Sequence, residues 1–591
     1  MNSEIKSCQN CKKEFEIEPV DFAFYEQVKV PPPTWCPDCR LLRRILWRND
    51  KNLYKRPDSL TGKPIFSMYP EHAPVKVYER DYWFGDSWDA MDYGRNYDFT
   101  RPFFDQVRDL IRDTPLMSRA VSYLVNSEYS NNAHSLKDCY LAFGAAICEN
   151  CIYCLNVSKS KDCIDSSYLT ECEISYGSFF NEKCSSAFFS SHCESSHDIF
   201  FSRNCVGVSN CFGCVGLRNK SYYIFNKPYS KENYATEIAK FNLGSASALD
   251  EMKRRVAEFW AKYPVKYLQG RHNTEVSGEY ISNSSNVKES YHIINGENLR
   301  YCQSLYINQT RDSYDYFRFG DNAELIYESA ICGLNISRLK FSYDCWIDCS
   351  NMEYCVSCHS SSFLFGCVGL RNKQYCILNK QYTKEDYEVM LPKIKKHLDD
   401  MPYTDKGGRV YTYGEFFPPD LSPFAYNETI APETFPISKE EALAKGYEWR
   451  EEPAKSYQAT VKAADLPEHI NDAKDEIVNE VIECAHEAKC NDACVTAFRI
   501  LPQELAFLRA HGLPLPRLCW RCRDSERLRQ RSPMKYYAGR CACAGKVSGA
   551  YTNTAEHAHG ASVCTVEFKT AYAPGTSGLV YCEACYNAEV A

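Results

Sequence analysis

The stretch Gly213-Cys-Val-Gly-Leu-Arg-Asn-Lys220-Ser-Tyr-Tyr-Ile-Phe-Asn-Lys227-Pro-Tyr-Ser-Lys-Glu-Asn-Tyr234 returns 153 positions later. The second copy reads Gly366-Cys-Val-Gly-Leu-Arg-Asn-Lys373-Gln-Tyr-Cys-Ile-Leu-Asn-Lys380-Gln-Tyr-Thr-Lys-Glu-Asp-Tyr387. Chance does not produce such a match, so any fold for this chain must hold one unit twice. Each unit opens with an amphipathic helical pattern. Phe103, Phe104, Val107, Leu110 and Ile111 carry it in the first, and Leu249, Met252, Val256, Phe259 and Tyr263 in the second. Pro115 and Pro264 follow these patterns, and Ser230 and Thr383 stand as N-caps before a closing helix.

Between the helices the sequence is rich in Ser, Cys, Tyr and Asn. Cys139, Ala145, Cys151, Val157, Cys163 and Leu169 fall six apart, as do Ile199, Cys205, Cys211, Leu217 and Tyr223. The second unit is looser, with Tyr291, Cys302, Tyr314 and Leu325 spaced 11–12 residues apart. Small apolar residues at fixed intervals between polar turns imply a parallel β-solenoid, whose coils stack like positions inside. The fold class expected is therefore multidomain and mainly β, with two tandem Cys/Tyr/Ser-rich solenoid units and flanking helices. The units span 102–242 and 243–395 and are expected to stack. A hexad permits a three-sided coil, and pairs of hexads fit equally well, so coil length and hand stay open.

The chain has 33 Cys among 591 residues. No apolar run approaches the roughly 20 residues of a membrane span, and Met1-Asn2-Ser3-Glu4-Ile5-Lys6 lacks a signal-peptide core. A cytoplasmic location without membrane contact is expected, where metal thiolates and buried free thiols outrank disulfides. Cys148-x2-Cys151-x2-Cys154, Cys211-x2-Cys214 and Cys355-x2-Cys358-His359 look like ligand motifs, but lie inside the repeats. Cys is small and often buried, and i and i+3 of a strand face opposite ways, so these are expected to be core.

The terminal cysteines follow another rule. Cys8-Gln-Asn-Cys11 and Cys36-Pro-Asp-Cys39 are two knuckles joined by a segment long enough for a hairpin, and the second runs into Arg40-Leu-Leu-Arg-Arg-Ile-Leu-Trp-Arg48. Such pairs suit tetrahedral zinc. Cys494-x3-Phe498-Arg-Ile-Leu-Pro502 through Cys519-Trp-Arg-Cys522-Arg523 repeats Cys11-x3-Phe15-Glu-Ile-Glu-Pro through Cys36-Pro-Asp-Cys39-Arg40 at an offset of 483. Its first knuckle is the wider Cys490-x3-Cys494. A third copy runs from Cys564-x3-Phe568 to Cys582-Glu-Ala-Cys585, its fourth ligand expected to be His559 rather than His557, being closer to Cys564. Cys484, His486, Cys541 and Cys543 remain and could form a fourth site. Three to four structural zinc ions are expected.

These stretches resemble the treble-clef zinc-finger families of bacteria known as probable zinc-binding domains. The resemblance covers roughly 1–57 and 476–591 and implies zinc binding and little about cellular role. The remaining division reads as a zinc finger with basic helix at 1–57, a connecting segment at 58–101, a Pro/aromatic-rich strap at 396–475 with one short helix from Ser438, and fingers at 476–536 and 537–591.

Net charge is −8, unevenly spread. Residues 40–56 hold seven Lys/Arg against one acid, and 517–540 hold eight against two. Arg40, Arg43, Arg44 and Arg48, and likewise Arg523, Arg527 and Arg531, follow zinc knuckles on helical patterns. Because Arg binds phosphate bidentately, they are expected to contact RNA or a ribonucleoprotein. No nucleophile–base pair, paired carboxylates or nucleotide loop stands out, so no catalytic residues are assigned. The expected function is a non-enzymatic zinc-binding scaffold. The alternatives are a protein-interaction scaffold using the solenoid flanks, or an enzyme with a site on the solenoid, as resemblance to hexad-repeat transferases suggests.

Overall fold

The computed structural model describes residues 2–590 except 308, 321–322, 452–457, 488, 491, 545–550 and 576–577, so parts of the strap and of the C-terminal module lie outside the described residues. The architecture is mainly β and rests on a three-residue rule. From Asn132 to Phe225 every third residue has a positive φ. Each such residue turns the chain, and the parallel ladders pair residues 12 apart, as in Cys163↔Ser175 and Leu155↔Ser167. Four corners and four short sides therefore close each coil, and the three-sided alternative is set aside.

The residue after each corner points inward. Cys148, Cys151, Cys154, Val157, Ser160 and Cys163 are consecutive inner positions, all buried. A coil this narrow favours compact side chains, so Cys, Ser, Ala and Val recur there, with Leu136, Leu169 and Ile199 among them. Many inner thiols and hydroxyls are satisfied by the backbone, although the Ser175 hydroxyl has no hydrogen bond among the described residues. The Cys154 thiol lies 3.5 Å from Ile152 O and 3.3 Å from Cys163 O, and the Ser178 hydroxyl lies 3.4 Å from Tyr176 O and 2.9 Å from Ala187 O. A left-handed corner strains any residue but Gly, least so Asn and Asp. Ladders along the corners offset this: Asn126 donates to Asp138 and Asn150 to Asp162, both at 2.9 Å, and Phe189 stacks on Phe201 at 4.9 Å.

The β-solenoid has about 21 turns in all. In the second unit the coils vary: Ser285 pairs with Glu297, Gly296 with Thr310 and Ala330 with Tyr343, advances of 12, 14 and 13 residues. These insertions blur the period that is crisp in the first unit. Both units end alike. The antiparallel pairs Ser221–Ile224/Lys227–Pro228 and Gln374–Ile377/Lys380–Gln381 close the ladders, followed by helices Lys231–Ala239 and Lys384–Asp400 capped by Ser230 and Thr383. Asn226 exchanges two hydrogen bonds with the Val215 backbone, and Asn379 does so with Val368, each side chain standing in for the coil that would come next.

The units do not stack end to end as expected. They meet flank to flank. At the corners Phe180 stacks on Tyr280 at 4.1 Å and Tyr168 lies against His292 at 5.5 Å, and beside them Arg271 pairs with Glu182 at 3.0 Å. The opening helices, Phe103–Asp113 and Ala246–Trp260, bury the apolar faces the sequence marks. The strap lies over the second unit, with Phe416 and Phe417 buried and Gly414 N–H donating to Tyr354. Its short helix, Lys439–Ala444, starts on a Ser438/Glu441 capping box. Among the described residues no helix is long and apolar enough to cross a membrane.

Candidate metal centres

In the N-terminal module a hairpin pairs Glu4–Ser7 with Glu14–Ile17, and its turn carries Cys8 and Cys11. Helix Pro37–Ile45 begins on Cys36 as N-cap and holds Cys39. The Cys36 N–H donates to Cys8 Sγ at 3.3 Å, and Cys11 Sγ and Cys36 Sγ lie 3.7 Å apart. All four sulfurs fall within 4.8 Å of one another. Thiolates around a zinc ion at about 2.3 Å form a tetrahedron with edges of about 3.8 Å, so the spacing fits a metal ion. Hydrogen bonds from Cys36 and Cys39 hold Cys8 far below the ordinary thiol range.

The second module is built the same way around a different first ligand. Helix Trp520–Leu528 begins on Cys519 and holds Cys522, and the Cys519 N–H donates to Cys484 Sγ at 3.3 Å. The set is Cys484, Cys494, Cys519 and Cys522. Cys484 thus stands where the sequence reading has Cys490, because the strand pair Ile482–Glu483/Ala497–Phe498 delivers Cys484 to the helix start. A thiol hydrogen bond from Cys484 brings Cys519 down to about 4. Cys490 instead joins His486, Asp492 and Cys522 in an adjoining set.

The third module repeats the plan. Strands Tyr537–Arg540 and Glu567–Thr570 pair, Cys541 follows the first, and the Cys582 N–H donates to its sulfur at 3.2 Å. Cys541, Cys564, Cys582 and Cys585 form the set. Its fourth member is Cys541 rather than the expected His559. His559 lies with Cys543, His557 and Cys585 in a neighbouring set. The fourth site expected from Cys484, His486, Cys541 and Cys543 is not assembled, since Cys484 and Cys541 hold equivalent places in separate modules. Asp492 is not marked by the sequence reading, and the choice between His557 and His559 does not arise, since both lie in the neighbouring set. The signal for Asp492 and His557 was proximity to leftover CxH and CxC pairs.

None of the five sets found among the described residues includes a solenoid cysteine. Cys139, Cys151 and Cys163 are buried core, as expected, though for another reason. Residues i and i+3 both point inward, from successive sides of the coil, and each thiol turns to backbone carbonyls.

The arginine rows differ most from expectation. Arg40, Arg43, Arg44 and Arg48 are 0–3% exposed. Helix Pro37–Ile45 lies between the solenoid and the strap, so its charged face points inward. Arg40 pairs with Asp315 at 2.9 Å, Arg44 with Asp315 at 3.3 Å and Arg48 with Asp50 at 2.6 Å. Arg43 pairs with Glu328 and, at 2.6 Å, with Glu415. In the second module Arg523 pairs with Asp165 and, at 2.9 Å, with Glu504. Arg527 reaches Asp165 at 3.3 Å, and Arg531 donates to Tyr168 at 3.2 Å. Arg40, Arg43, Arg44, Arg48, Arg523 and Arg527 are thus paired with carboxylates inside the molecule, and Arg531 with a tyrosine hydroxyl.

No protein-family model matches the chain, and no curated protein does. Among solved structures, one assigned as an acetyltransferase from Desulfovibrio desulfuricans is 11% identical with a TM-score of 0.10. The match covers 38% of this chain and 64% of that one. So slight a likeness carries no weight for function.

Proposed function

We propose that this chain is a non-enzymatic scaffold in which treble-clef zinc modules clamp the two flanks of a double solenoid, leaving the solenoid's outer corners for protein partners. One observation carries the reading. Three sets of four cysteines share one plan, in which the third sulfur's own N–H caps the first sulfur and the fourth sulfur sits one helical turn on. All-sulfur tetrahedral sets leave a zinc ion no open position, which suits structure rather than catalysis. The pairing of Arg40, Arg43, Arg44, Arg48, Arg523 and Arg527 with carboxylates counts against the RNA reading. Tyr123 and Ile147, exposed on the first unit's corners, and the exposed Val125 beside the Asn126 corner favour protein instead.

Elemental analysis of chain purified without chelator is expected to return at least three zinc ions per molecule. Stripping them should lower the melting temperature, because metal binding is folding free energy for such modules. One ion or none would overturn the reading.

A further inference from the structure

The second and third modules each place a second set of ligands against the first, and the two sets share one sulfur. In the second module Cys522 belongs both to the all-cysteine set and to the set with His486, Cys490 and Asp492. In the third, Cys585 belongs both to the all-cysteine set and to the set with Cys543, His557 and His559. We propose that these are two binuclear zinc centres bridged by the Cys522 and Cys585 thiolates, giving five ions per chain. The proposal rests on the zinc-module reading above and deepens it.

Comparison of the modules shows where the second ion comes from. Cys8, Cys484 and Cys541 are equivalent, since each accepts the N–H of the cysteine that starts the helix. In the N-terminal module two residues separate Cys8 from the next ligand, Cys11. In the other two the same knuckle is widened, reaching from Cys484 to Cys494 and from Cys541 to Cys564. Each widened knuckle carries three further donors, and each directs them at the same helix-borne cysteine. Two unrelated insertions converging on one geometry is not what chance packing gives.

The donors are prepared for a cation. Zinc takes the lone pair of a neutral imidazole, and the other ring nitrogen then donates outward. His557 Nε2 lies 2.9 Å from Glu589 Oε1, leaving Nδ1 directed at Cys543 Sγ at 3.1 Å. His559 Nδ1 lies 2.7 Å from Ser562 O, leaving Nε2 directed at Cys585 Sγ at 3.2 Å and Cys543 Sγ at 3.5 Å. In the second module the Asp492 side chain is only 7% exposed, and its Oδ2 and His486 Nδ1 are buried without a hydrogen bond among the described residues. Cys490 Sγ lies 3.7 Å from Cys522 Sγ, the edge expected of two thiolates on one zinc.

The N-terminal module supplies the control. Its equivalent helix cysteine, Cys39, receives the Asn10 side-chain N–H at 3.2 Å. Between Cys8 and Cys11 stand only Gln9 and Asn10, so this knuckle has no further Cys, His or acid for a second ion, and none of the sets found among the described residues adds one at Cys39.

The test is metal counting on the full chain together with X-ray absorption at the zinc edge. Wild type should hold five zinc ions and show metal–metal scattering shorter than about 4.6 Å, twice a Zn–S bond. His559→Ala and the double change His486→Ala/Asp492→Ala should each lose one ion and keep the all-cysteine ions. A wild-type count of three, untouched by these changes and without metal–metal scattering, overturns the bridged centres while leaving the zinc-module reading intact. A count of four, lowered by only one of the two variants, overturns the bridge in the other module. A count of none or one overturns the module reading itself.

Discussion

Glu279 shows how far a single residue's chemistry can depart from its type. It is fully buried, with the Gln269 N–H donating to it at 3.2 Å. Burial pushes its pKa up to about 8, partly offset by hydrogen bonding from Ser532 and Gln269. In the unfolded chain the group releases its proton near 4.5, so between about 4.5 and about 8 the folded form holds a proton that the unfolded form has lost. Stability from this residue is therefore present below about 4.5 and is lost as pH rises through about 8. Glu279→Gln should flatten the stability–pH curve across that window, by up to about 1.4 kcal/mol per pH unit, and be the more stable protein at pH 8.5. Parallel slopes for the two proteins in denaturant titrations would refute this. Nothing in the sequence separates Glu279 from the other acids, because its burial depends on where a coil places it. The arginines teach the same point. Their clustering was legible, but whether a row of guanidinium groups meets water or carboxylates depends on Asp315, Glu328 and Glu415, hundreds of residues away.

At the scale of the element, the solenoid was legible as a class and not as a coil. The six-residue period of Cys139, Ala145, Cys151, Val157 and Cys163 is half a coil, and its own half is the real unit, a corner every third residue. That triplet was visible as Cys148-x2-Cys151-x2-Cys154, where it took the appearance of a metal motif. The expected helices and their caps formed because Ser230, Thr383 and Ser438 act locally. Which cysteine completes each terminal set was not legible, since strand pairing chooses Cys484 over Cys490. The two uses of cysteine make opposite predictions. Ser already fills inner positions such as Ser166, Ser178 and Ser190, with the same bonds to backbone carbonyls. Cys154→Ser should therefore cost no more than about 1 kcal/mol and change no metal content. Cys39→Ser should lose the N-terminal ion and melt that module. Melting curves and metal counts on the two variants check this. A loss of metal from Cys154→Ser would show that the inner thiols are not simply core.

At the scale of the molecule, the two basic helices are what hold it together, and they do so crosswise. The N-terminal module docks on the second solenoid unit through Arg40, which pairs with Asp315 and lies over the Tyr301 ring at 5.1 Å. The second module docks on the first unit through Arg523, which pairs with Asp165 and lies over the Tyr153 ring at 4.9 Å. Arg40 and Arg523 are equivalent in the repeated module, and Asp165 and Asp315 are both left-handed corner residues, so one docking contact has been used twice. Carboxylates and guanidinium groups this deeply buried stay tolerable only while paired, and removing one partner of such a pair costs about 3–5 kcal/mol. Arg43→Glu goes further, setting a third carboxylate beside Glu328 and Glu415 in a place without water. It should destabilise the protein by at least that amount, whereas the same charge reversal at the exposed Lys262 should stay within about 0.5 kcal/mol. Urea unfolding of Arg43→Glu and Lys262→Glu side by side decides the matter. Equal midpoints would mean that the arginine row does not clamp the module to the solenoid.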